Sequence, residues 1–150
     1  MLFRSPNDNL HLTIRFIGSI DRSLVEAVAD ALAGRPLSAF EMQLGEVGTF
    51  RRGRFARVVW LGLRGGLGGA AVLASEVQEE CVKAGLPAES RPYLAHLTLA
   101  RARARDGARL PELPTLPRLQ PWLADRLVLY SSRLARTGVV YEAMRALTLG

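Results

Sequence analysis

An α+β fold built from two pseudo-symmetric lobes is predicted for this chain, and three observations carry the prediction. Short segments of strict apolar/polar alternation interleave with two segments of helical periodicity. Glycine and proline punctuate the junctions. The tripeptide His-Leu-Thr occurs twice, at 11–13 and 96–98, each time inside an alternating segment. With 150 residues, 49% of them hydrophobic, the chain is long enough to bury one real core. Residues 1–150 are therefore read as a single bilobal domain, with antiparallel strands and flanking helices around a central groove.

The elements follow in order. Residues 10–17 alternate, with Leu10, Leu12, Ile14 and Phe16 on one face and His11, Thr13 and Arg15 on the other, as in a half-buried strand. Phe16 falls on the core side. Gly18 and Ser19 end the strand, Asp21 can cap, and Leu24, Val25, Val28, Ala31 and Leu32 recur at helical spacing until Gly34. Strands are predicted around 37–44 and 54–63. The glycine-rich stretch 62–69 lacks the Lys-Ser/Thr of a phosphate-binding loop and reads as a turn into a second helix over 67–84, with Leu67, Ala70, Ala71, Ala74, Val77 and Cys81 inward. The strand 96–101 repeats the first motif, with His96 and Thr98 on one face and Leu97 and Leu99 on the other. An Arg- and Pro-rich connection spans 102–121, and strands over 123–133 and 138–148 close the fold around a turn at Thr137-Gly138. Trp60 and Trp122 read as structural.

Composition excludes several classes. No apolar run is long enough to span a membrane, and Arg4 and Pro6 stand where a signal peptide is apolar, so a cytoplasmic protein is expected. Cys81 is the only cysteine, which rules out an intramolecular disulfide framework and a cysteine-rich metal site. Net charge is +6, and all basic residues but Lys83 are arginine. That excess suits an anionic partner such as RNA, although the same Arg-for-Lys bias also arises from GC-rich coding. Arg51, Arg52, Arg54 and Arg57 form one cluster, read mainly as a solvated loop and strand end. Arg101, Arg103, Arg105 and Arg109 form another, with an RNA-backbone role as good a reading as a solvated one.

The duplicated tripeptide carries the chemistry. Given the frequencies of Leu and Thr, a histidine precedes Leu-Thr by chance roughly once in 150, and here both of the chain's histidines do. Each His shares a strand face with its Thr, so two opposed motifs would bring two imidazoles and two hydroxyls to one small volume. Breaking a phosphodiester needs a base for the attacking oxygen, an acid for the leaving oxygen and donors for the nonbridging oxygens, and these four residues supply all three. Histidine titrates near neutrality, which suits the acid and base roles. Arg15 shares the first motif's face and could add charge beside the phosphate. Arg101 ends the second motif strand but lies by parity on the face opposite His96. Tyr93 is a candidate for stacking on a base. A catalytic zinc wants a third protein ligand that neither motif offers, so no metal and no cofactor is expected.

His11-Leu12-Thr13-Ile14-Arg15-Phe16-Ile17-Gly18 and Arg91-Pro92-Tyr93-Leu94-Ala95-His96-Leu97-Thr98-Leu99-Ala100-Arg101 resemble the two signature strands of the 2H phosphoesterase superfamily, in its RNA 2′,3′-cyclic phosphodiesterase branch, also called 2′-5′ RNA ligase-like. The resemblance implies metal-independent hydrolysis of 2′,3′-cyclic phosphate ends of RNA or nucleotides to 2′-phosphates. It implies His11 as the acid to the departing 3′ oxygen, His96 as the base to water, and Thr13 and Thr98 as phosphate binders. Pseudo-symmetry makes either order of acid and base workable. The same residues would serve a 2′-5′ ligase, and a groove that binds RNA ends without turnover is the alternative from another class. In the family a strand and a helix usually precede the first motif, whereas ten residues precede His11 here. The expected fold is therefore the family's without that N-terminal strand and helix. It would leave a sheet edge unpaired on a chain otherwise expected to be monomeric, and that edge is a route to a dimer.

Overall fold

Residues 55–65 carry a near-continuous apolar run and pair on both sides, so they form the centre of a sheet. The structure, a computed structural model, describes residues 2–5, 7–110, 112–113 and 115–150. Its elements are β1 (Leu2–Arg4), a single 3-10 turn (Asn7–Asn9), α1 (Arg22–Ala33), β2 (Phe40–Arg52), β3 (Phe55–Gly65), α2 (Leu67–Lys83), β4 (His96–Ala102), β5 (Trp122–Ala124), β6 (Arg126–Ala135) and β7 (Gly138–Thr148). One sheet has the strand order β1-β4-β3-β2-β5, and β6 and β7 form a separate hairpin. The α+β class and the antiparallel pairing hold.

By its internal contacts the chain divides into two compact units, each drawn from three segments: Met1–Thr13, Met42–Leu67 and Ala95–Trp122 in the first, Ile14–Glu41, Gly68–Leu94 and Leu123–Gly150 in the second. The units are thus not the two halves of the sequence, and both helices, but for Leu67 at the start of α2, belong to the second. There α1 and α2 enclose Val28, Leu32, Leu37, Leu73, Val77, Cys81, Leu86 and Leu149. Asp21 stands at the N-cap of α1, but no side-chain cap bond forms; its carbonyl accepts from Leu24 and Val25 instead. Along α2, Leu73 is inside and Leu67 and Ala71 outside, and Glu80 is buried on hydrogen bonds from Arg35 and Lys83.

In the first unit β2 and β3 form a long hairpin around Gly53, whose φ of +57° suits glycine in a two-residue turn. The strand expected at 37–44 begins at Phe40 and runs on to Arg52, through glycines that lower strand propensity. Each glycine has a partner that needs its missing side chain. A Cβ on Gly45 would lie 2.8 Å from that of Arg64, and one on Gly48 would lie 2.2 Å from the Trp60 ring.

The strand expected over 10–17 reduces to one antiparallel bridge, Leu12 with Leu97. The edge of β4 beyond it is taken by β1, which pairs Arg4 with Ala100, Phe3 with Arg101 and Leu2 with Ala102. The terminal strand on that side of the sheet is therefore β1. Past Thr13 the alternation no longer describes the packing: Ile14 and Ile17 turn into the second unit's core, and Phe16, expected inside, is 75% exposed. Trp122 is exposed as well. Of the connection expected over 102–121, Ala102 still belongs to β4 and the described residues from 103 on are irregular, apart from a bridge between Ala108 and Ala56; Pro111 and Pro114 lie outside the described residues, as does Pro6. Among the described residues no helix is long and apolar enough to cross a membrane.

Candidate active site

The Leu12–Leu97 bridge sets the geometry of the motifs. The two tripeptides run antiparallel about it, so His11 lies beside Thr98 and Thr13 beside His96, with both leucines on the other face. The histidines are then diagonal neighbours about the bridge, a relation that in a regular sheet sets two residues roughly 7–8 Å apart. All four polar side chains are half-buried and belong to the first unit. The pair has an approximate local two-fold axis through the bridge.

The surroundings break that symmetry. His11 Nδ1 lies 2.7 Å from the carbonyl of Asn9, in the 3-10 turn just before the motif. A carbonyl only accepts, so Nδ1 carries the proton and the lone pair of the neutral ring is on Nε2. His96 meets aromatic rings instead. Phe50 is 5.1 Å away, edge-on at 84°, and Trp60 is 6.1 Å away. Phe50 and Trp60 also touch, at 5.4 Å. On β3, Gly62 stands opposite His96 and Trp60 opposite Thr98, while Gly48 of β2 stands opposite Trp60. The indole lies over the two glycines, which have no side chains to lift it off the sheet. Sequence reasoning left Phe50 unassigned and read Trp60 as only structural; the β2–β3 register that brings them to His96 is nonlocal and gives no sequence signal.

Arg101 changes face. Simple alternation sets it opposite His96, but the register slips between Val59 and Trp60: Thr98 pairs with Trp60, Ala100 with Val59 and Arg101 with Val58. Leu99 is the extra residue of a β-bulge, and the bulge returns Arg101 to the face of His96 and Thr98. Its side chain is exposed there. The other two candidates belong to the second unit. The Arg15 guanidinium, 6% exposed, donates to Gln78 Oε1 and to the Pro87 carbonyl, each at 2.5 Å, with Glu89 at 4.0 Å. It braces α2 against the loop that follows, so alternation misassigned its side chain to the motif face. Tyr93 is half-buried, and burial pushes its phenol up to about 12, so it stays a neutral hydroxyl at physiological pH. Among the described residues no three His, Cys, Asp or Glu side chains group as metal ligands.

The model of the LigT like phosphoesterase family matches residues 2–60 and 65–141. The chain belongs to this family. Its similarity to the RNA 2′,3′-cyclic phosphodiesterase of Aeropyrum pernix is 31% identity over 147 residues, covering 92% of this chain and 81% of that protein. For the protein of the same name from Escherichia coli the figures are 30% over 139 residues, 92% and 74%. Among solved structures, E. coli LigT complexed with 3′-AMP superposes with a TM-score of 0.77 at 29% identity, covering 97% of this chain and 80% of that one. The TT0787 protein of Thermus thermophilus shares the fold at a TM-score of 0.83 and 24% identity, covering 99% of this chain and 82% of that one.

Proposed function

We propose that this LigT-like chain hydrolyses 2′,3′-cyclic phosphate ends of RNA or nucleotides to 2′-phosphates, using two histidines and no metal. The observation that carries the reading is the antiparallel Leu12–Leu97 bridge, which gives both His-Leu-Thr motifs one shared face. Relatives named RNA 2′,3′-cyclic phosphodiesterase support the substrate class. In the forward reaction His96 takes a proton from water as its oxygen bonds to phosphorus. The P–O3′ bond breaks, and His11, which enters the step as the imidazolium with Nδ1–H on the Asn9 carbonyl, gives its Nε2 proton to the departing 3′ oxygen and leaves the step neutral. Thr13 and Thr98 donate hydroxyl hydrogens to the nonbridging oxygens, and Arg101 adds positive charge on the β4 side.

Incubation of the protein with a 2′,3′-cyclic mononucleotide in EDTA tests this. A 2′-phosphate product is expected, and its absence overturns the reading. His11→Ala and His96→Ala should each lose roughly 10²–10⁴ in kcat while keeping the wild-type circular dichroism spectrum.

A further inference from the structure

The positive charge of this molecule is concentrated at one end of one sheet. The β2–β3 hairpin tip and the segment after β4 both lie there, because β4 runs antiparallel to β3 and Arg101 pairs with Val58. The two segments are stapled together. Ala56 and Ala108 exchange backbone hydrogen bonds at 2.9 and 2.8 Å, and Arg52 faces Asp106 at 3.4 Å. Gly107, at φ +98°, comes so close that a Cβ would lie 2.8 Å from the Ala56 carbonyl oxygen. Residues 49–58 and 100–109 hold eight arginines, all exposed, against the single acid Asp106, a net +7. The other 130 residues, with twelve basic and thirteen acidic side chains, sum to −1. A uniform coding bias toward arginine would not leave the rest of the chain without positive excess.

From Gly62, opposite His96, to Phe55 at the hairpin tip is seven residues of strand, about 23 Å. A single nucleotide at the histidines cannot reach the tip; a chain of several can. Arg101 lies between, on the histidines' face. We propose that the Arg51-Arg52-Gly53-Arg54 hairpin tip and the stapled 101–109 segment form a binding track for the phosphates of single-stranded RNA upstream of the cyclic end. This surface would make the protein prefer oligonucleotide ends to mononucleotides. The preference rests on the cyclic phosphodiesterase reading; the binding track does not require turnover. Planar, always-charged guanidinium groups match the contact chemistry of a flexible polyphosphate chain, and Arg54, 5.2 Å over the Phe55 ring, is exposed at the tip.

The test compares wild type with R51Q/R52Q/R54Q on two substrates, a 2′,3′-cyclic mononucleotide and a single-stranded oligonucleotide of about ten residues with the same cyclic end. Wild type should show a KM at least about tenfold lower for the oligonucleotide at low salt, with the gap closing as salt rises. The triple variant should lose most of that gap, lower the steepness of its log–log salt dependence by about 2, and leave mononucleotide kcat and KM unchanged. In parallel, anisotropy of a fluorescent oligonucleotide ending in a 2′-phosphate reports binding without turnover. Arg-dependent, salt-sensitive binding with no hydrolysis would sink the enzymatic reading and leave the track standing. Equal oligonucleotide binding by wild type and the triple variant, or an equal loss on both substrates, would overturn the track.

Discussion

Gly48→Ala is the sharpest test of how the His96 neighbourhood is built. The new Cβ would sit 2.2 Å from Trp60 Cζ2 and Cη2 and 2.5 Å from Cε2. Carbon atoms rest at about 3.5–4.0 Å, so the indole must recede by roughly 1.3–1.8 Å. Its room is limited by Phe50 and His96, whose rings flank it at 5.4 and 6.1 Å. Overpacking of this kind costs about 1–3 kcal/mol. For a chain of this length that is a fall in Tm of roughly 2–12 °C. The displaced ring presses on His96, so kcat/KM on a cyclic mononucleotide should fall as well, tenfold for each roughly 1.4 kcal/mol of lost alignment.

The decisive measurement is a double-mutant cycle by thermal unfolding. In a Trp60→Leu background the clash is gone, and Gly48→Ala should be neutral or stabilising by up to about 1 kcal/mol, because alanine loses less backbone entropy than glycine in a strand. The expected coupling is therefore at least about 1 kcal/mol, of a sign that makes the second substitution less harmful than the first. Additive costs would refute the claim that Gly48 exists to admit the indole.

Three other perturbations follow. Arg15→Met removes two charge-assisted hydrogen bonds from a buried guanidinium and should cost about 2–4 kcal/mol of stability with mononucleotide kcat and KM unchanged; a raised KM at unchanged Tm would instead restore Arg15 to the phosphate. Arg101→Gln should do the reverse, lowering kcat/KM by roughly 10–100-fold with little change in Tm, and an inert variant would mean that the bulge does not deliver its charge to the site. Hydrogen bonds from Lys83 and Arg35 hold the Glu80 carboxyl below its usual value of 4.5, so its stabilisation is full above that pH and is lost as pH falls through the lowered one. The Tm difference between wild type and Glu80→Gln should accordingly shrink between pH 7 and pH 3, and a difference that grows in acid would contradict the assignment.

What was legible in the sequence was local. The turn at Thr137-Gly138 located the final strand at 138–148, and helical periodicity gave α2 to within a residue of its end. The tripeptides were legible because each motif contains its own two-residue alternation. What failed needed a neighbour. Alternation over 10–17 describes a strand only if a partner runs alongside, and past the Leu12 bridge the antiparallel partners of Ile14–Ile17 would be residues 92–95, which precede β4 and are not in a strand. The glycines of β2 look like breaks until Arg64 and Trp60 are seen to fill their space. Arg101 was set on the wrong face by counting, because a bulge is decided by pairing with Val58 and Val59.

The local two-fold through the Leu12–Leu97 bridge explains why the motifs alone do not say which histidine is acid and which is base. Two antiparallel His-Leu-Thr strands offer a phosphate two equivalent sides, and proton transfer at both is what breaking one P–O bond while making another requires. Direction must come from what the dyad does not relate. Asn9 fixes the His11 ring through Nδ1, so under the proposed reaction Nε2 is the nitrogen left to exchange protons with substrate. His96 has its orientation limited by Phe50 and Trp60. The largest asymmetry is charge: Arg101 stays beside the second motif by virtue of one inserted residue, whereas Arg15, which alternation would have set beside the first, is engaged by Gln78 and Pro87. A cyclic phosphate held on a face with its guanidinium on one side only is bound in one orientation. Under the proposed reaction, that fixed orientation decides which histidine meets the departing 3′ oxygen and which meets water.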